Sequence, residues 1–129
     1  MSQAYTRPFR PTELTTFTAL SFSLPAMAKQ LMTEAAFQQA GRNALTLARG
    51  NDITVVLMVL KAHSTLQEHT APGPIIVTTL SGHLEFSTAM QPESLVLYAG
   101  EVAVCGAQLA HSVKALEDSA FLLVIGGRA

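Results

Sequence analysis

The stretch Pro72-Gly73-Pro74-Ile75-Ile76-Val77-Thr78-Thr79-Leu80-Ser81-Gly82-His83-Leu84-Glu85-Phe86 decides the fold class. It opens on a Pro-Gly-Pro break and runs through a β-branched segment suited to a pleated strand. It then turns at Ser81-Gly82 and starts a second run. The same punctuation continues in both directions. Upstream, residues 43–48 suit a short strand. Arg49-Gly50-Asn51-Asp52 is turn chemistry, and residues 53–60 are another β-branched run. Downstream, Gln91-Pro92-Glu93-Ser94 is a turn, followed by short runs at 95–98, 101–105, 112–116 and 120–125. Short strands at regular spacing, separated by Gly and Pro turns, predict an all-β sandwich or barrel.

The N-terminal third reads differently. Pro8, Pro11 and the Thr-rich segment 12–18 disfavour a helix and suit an extended arm, lying along the domain or across a partner. Ser23 is a helix-cap residue, and Pro25 falls in the first turn, where a missing N–H costs little. Leu24, Ala28, Leu31 and Ala35 then recur at helical spacing with Met27 and Met32 beside them, predicting one helix that ends before Gly41. The methionine stripe reads as core packing. The expected division is an arm and helix at 1–40 and a β domain at 41–129.

Composition narrows the classes of function. The chain has 129 residues, 49% of them hydrophobic and 13% charged, where about 25% charged is usual. That excludes a disordered chain. A net charge of −1 carries no basic footprint for nucleic acid. The longest wholly apolar run, 55–60, falls far short of the ~20 residues of a spanning helix. Arg7 and Arg10 before residues 17–24 and Ala26-Met27-Ala28 sketch an export signal, but Glu13 and the Ser and Thr residues dilute it, so a soluble cytoplasmic protein is expected. The single Cys105 allows no internal disulfide and reads as a small apolar filler. Scarce charge implies an apolar surface and predicts a homodimer.

Two segments carry a family resemblance. The pattern G-x5-H-x-H-x3,4-E-x6-G lies on residues 63–82 without a gap: His63 stands at the first glycine, His69 at the first histidine, Ala71 at the second histidine, Ile75 at the glutamate and Gly82 at the closing glycine. The pattern G-x5-P-x-G-x2-H-x3-N lies on residues 100–115, where Gly100 and His111 match and Gly106, Gln108 and Ala115 replace proline, glycine and asparagine. With the surrounding texture, about residues 41–126 resemble a subgroup of small single-domain cupins, whose fold is a jelly-roll barrel (double-stranded β-helix). The resemblance implies a divalent transition-metal site of three histidines and one glutamate. This chain keeps His69 and His111 of that set, while Ala71 has no donor atom and Ile75 puts an apolar group where the carboxylate belongs. His63, Gln67 and Gln108 are the further candidate pocket residues; Glu68 and His83 are expected at the surface. No catalytic residue is assigned.

Three functions stay open. The first is a cupin binding a small organic ligand in the barrel without a full metal site. The second is a metal-dependent enzyme of oxygenase or isomerase type using His69 and His111. The third is a structural dimer.

Overall fold

Every run that the sequence marks as a strand is one. The computed structural model describes residues 12–127. Its elements are β1 (Thr12–Glu13), α1 (Leu24–Thr33), α2 (Ala35–Ala40), β2 (Arg42–Arg49), β3 (Ile53–Leu60), β4 (Thr65–His69), β5 (Ile75–Ser81), β6 (His83–Thr88), β7 (Leu95–Tyr98), β8 (Val102–Cys105), β9 (His111–Ala115) and β10 (Ser119–Gly126). They form a six-stranded sheet in the order β1-β2-β3-β10-β5-β8 and a four-stranded sheet in the order β4-β9-β6-β7. All pairs are antiparallel except β1 with β2. The chain is mainly β and jelly-roll-like, but hydrogen bonding does not close the two sheets into one barrel.

Strand alternation sends side chains to two cores. Between the sheets lie Leu60, Ile75, Val77, Leu84, Phe86 and Phe121, with Val113 and Ala115 from β9. On the outer face of the larger sheet, Leu45, Leu47, Leu57, Val59 and Ala120 meet Ala28, Leu31 and Phe37 of the helices. β3 and β10 are therefore covered on both faces, which is why their sequences are continuously apolar rather than alternating. The β5–β8 half has no such cover. There Ile76 is 39% exposed, Val102 51% and Val104 72%.

The helical segment departs from the single expected helix. It is broken at Glu34, whose backbone is extended (φ −81°, ψ 155°). Asn43, buried under the helices, donates from Nδ2 to the Leu31 carbonyl (3.0 Å) and to Glu34 Oε1 (2.8 Å). The restart at Ala35 resets the helical phase, so Ala35 is exposed and Phe37 takes the buried position. Ser23 makes no side-chain cap bond. Met27 and Met32 pack against the outer core as expected. Gly41 ends α2 in the left-handed region (φ 81°).

The arm's described part lies along its own chain. Thr12 and Glu13 pair with Ala48 and Arg49, and the Leu14 N–H donates to the Arg49 carbonyl (2.9 Å). This covers part of the β2 edge, which would otherwise offer free backbone groups. Pro8, Pro11, Arg7 and Arg10 lie outside the described residues. No helix among the described residues is long and apolar enough to cross a membrane.

Candidate functional site

Pairing of β4 with β9 places His69 directly opposite His111, after a register shift between Leu66 and His69. Their rings meet edge to face, with centroids 4.3 Å apart and planes at 62°. His111 is 3% exposed and stacks on Phe86 at 5.6 Å, whereas His69 sits at the rim. The two rings are tethered alike. His69 Nδ1 is 2.8 Å from the Gln67 carbonyl and His111 Nδ1 is 2.8 Å from the Leu109 carbonyl. A carbonyl can only accept, so each Nδ1 carries the proton. In the neutral rings both Nε2 atoms then keep a lone pair.

The remaining candidates separate by backbone. His63 (φ 72°) and Gln108 (φ 67°) are the non-glycine residues with positive φ among those described, and Gly82 (φ 87°) and Gly100 (φ 86°) share that region. All four stand at glycine positions of the two sequence patterns, so the register laid on residues 63–82 and 100–115 is reproduced in the backbone. A left-handed conformation costs a non-glycine residue about 1–2 kcal/mol. It is held here by His63 N–H donating to the Ala115 carbonyl (2.7 Å) and Gln108 N–H to the Ala71 carbonyl (2.9 Å). Both side chains are exposed turn residues. His83 belongs to the outer face of the smaller sheet, since its neighbour Leu84 and then Phe86 point inward. It is half-buried and stacks on Tyr98 with centroids 4.2 Å apart.

A cleft of about 760 Å³ runs along β4, where the two sheets part. Arg42, Met58, Leu66, Gln67, His69 and Leu123 line it. Thus His69 and Gln67 share the cleft, whereas His63 and Gln108 are not among its walls. Cys105 is 3% exposed within the inner core. Burial pushes its thiol up from the ordinary range, which makes it an unreactive filler.

No protein-family model and no curated protein matches the chain. Solved structures do. A conserved protein of unknown function from Streptococcus pyogenes is 22% identical, with a TM-score of 0.70 over 93% of this chain and 97% of that one. A cupin superfamily protein from Desulfitobacterium hafniense is 17% identical, with a TM-score of 0.68 over 92% and 98%. KdgF from Halomonas sp. is 20% identical, with a TM-score of 0.64 over 70% and 83%. The fold is that of the cupins. The first two matches extend over more of the chain than residues 41–129 alone.

Against the cupin metal set the residues present fall short. Ile75 is 2% exposed and packed in the inner core, and Ala71 packs against the same core. Among the described residues no group of three or more His, Cys, Asp or Glu side chains is placed to hold an ion. Two imidazoles give fewer than the three protein ligands usual in catalytic metal sites. The donor set therefore does not fit a resident cupin metal centre.

Sequence reasoning did not single out Arg42, Met58, Leu123 or Phe86. Arg42 stands one residue before the predicted strand. Once β2 is extended to include it, its parity opposite Asn43, which bonds to the helices on the outer face, places it on the inter-sheet side.

Proposed function

We propose that this cupin binds a small organic molecule in the cleft along β4 and works without a resident metal. The supporting observation is the His69–His111 pair. Each ring is oriented by a backbone tether. His69 is a wall of the cleft, among polar Arg42, Gln67 and Glu68 and apolar Met58, Leu66 and Leu123, while His111 packs behind its ring and is not itself a wall. A concave site with placed polar groups is the usual form of a small-ligand site.

The same tethers favour a second reading. Metal-bound imidazole commonly donates its other ring N–H to a carbonyl, so a metal-dependent enzyme using His69 and His111 is the alternative. Elemental analysis of protein purified without an affinity tag, after loading with Fe, Mn, Ni, Cu or Zn, separates the two. The expected result is no stoichiometric metal. Stoichiometric metal that is lost in both His69→Ala and His111→Ala overturns the proposal in favour of the enzyme.

A homodimer belongs to the same proposal. Ile76 and Val104 are a cross-strand pair. With Val102 they leave an apolar strip beside the free edge of β8, which suits a second copy of the chain. Light scattering at micromolar concentration is expected to give twice the chain mass, and Val104→Glu to halve it. A monomeric wild type sinks the dimer.

A further inference from the structure

We propose that the cleft is selective for an organic carboxylate, seated on Arg42 at the end of the cleft away from the histidine pair. This inference rests on the cleft being a ligand site.

The cleft is electrically uneven. Arg42 is a cleft wall and an exposed residue. Among the described residues no ion pair or hydrogen bond occupies its guanidinium. The neighbouring cation, Lys61, is engaged elsewhere: its Nζ donates to the Gln38 carbonyl (3.3 Å) and lies 5.9 Å from the centre of the Phe37 ring. Ser64 lies against Gly41, where an added Cβ would collide with its side chain, and Thr65 follows it along the wall. Arg42 and the Ser64 hydroxyl thus share one end, joined through the contact of Ser64 with Gly41. A guanidinium presents a planar fork of donors that matches a carboxylate in a bidentate manner, and an additional hydroxyl satisfies a further lone pair.

The other end has the opposite character. Glu68 lines the cleft beside His69 and repels an anion placed there. Thr65 and His69 stand opposite Lys114 and His111, three positions apart on β9, or about 10 Å at 3.3 Å per residue. Met58, Leu66 and Leu123 lie on the walls as the apolar surface. Charge at one end, hydrocarbon beyond it and hydrogen-bonding imidazole at the far end describe a carboxylate with a short apolar stem.

Amide-resolved NMR titration with hexanoate and with hexan-1-ol tests this. Hexanoate is expected to shift the amides of Arg42, Met58, Leu66 and His69 saturably. Hexan-1-ol, with the same stem and no charge, is expected to bind at least about tenfold more weakly, as is hexanoate to Arg42→Gln. Arg42→Lys, which restores charge without the fork, is expected to recover part of the loss. Arg42 is exposed, so these variants should fold. Equal binding of both probes at these amides, or hexanoate binding unaltered in Arg42→Gln, overturns the carboxylate and leaves the small-ligand cleft standing. Silence of these amides to both probes also overturns the carboxylate. The small-ligand reading itself stands or falls by the metal analysis.

Discussion

Replacing Gly82 by alanine is expected to destabilise the protein by about 2–5 kcal/mol and to lower its melting temperature by roughly 10–20 °C. Two independent causes add. Gly82 has φ 87°, a conformation that costs an alanine about 1–2 kcal/mol. A Cβ at this position would also lie 2.7 Å from Ser119 Cα, with the Asp118 carbonyl oxygen and Ser119 Oγ closer still. Ser119 cannot readily yield. It is fully buried, its Oγ accepts from the His83 N–H (2.9 Å) and donates to the Glu117 carbonyl (2.7 Å). Crowding of this kind costs about 1–3 kcal/mol more. Gly100 is the control, having φ 86° with nothing within 4 Å of an added Cβ. Gly100→Ala should therefore show the conformational cost alone. His63→Gly and Gln108→Gly should run the other way, each gaining up to about 1 kcal/mol by relieving the same backbone cost. Urea unfolding of the four variants measures all these differences. Equal losses for Gly82→Ala and Gly100→Ala would remove the steric half of the account.

These four positions also mark what the sequence could and could not convey. A left-handed histidine or glutamine has no signature in propensity. His63 and Gln108 were legible only because the motif register put them where glycine belongs. The strands with turn punctuation and β-branched runs were legible directly, because β3, β5 and β10 bury enough apolar surface for pattern and burial to agree. β4 was not. Its residues, Thr65 to His69, are mostly exposed on an edge and alternate no apolar side chains, so periodicity carries no signal there. The broken helix was hidden for a different reason. Residues 24–40 are locally consistent with one helix, and the break at Glu34 is stabilised by Asn43, a partner on β2 that local sequence cannot supply. The site was half legible for the same physical reasons. His69 and His111 came from motif spacing, while Arg42 and Leu123 share the cleft only after two sheets are folded against each other.

Phe86 ties the core to the site, and Phe86→Ala is expected to cost about 3–5 kcal/mol. The side chain is 1% exposed in the inner core, so truncation removes its burial energy and leaves a cavity that tethered strands on both sides cannot collapse. β6 is held by β7 on one edge and by β9 on the other. The cavity opens against His111, whose ring lies nearly parallel to that of Phe86, at 11°. Phe86→Leu keeps much of the volume and should cost about 1–2 kcal/mol, while removing the flat surface on which His111 rests. The pair of variants therefore separates filling from orientation. Denaturant unfolding reads the first. Imidazole nitrogen chemical shifts of His111 read the second, because they report which ring nitrogen carries the proton. The Nδ1–H bond to the Leu109 carbonyl comes from the backbone of the residue two before it and does not depend on Phe86. The Nδ1-protonated form is thus expected to persist in Phe86→Leu. If Phe86→Leu moves the proton to Nε2, the tether alone does not set the tautomer, and the ring against which His69 packs depends on the core as much as on the backbone.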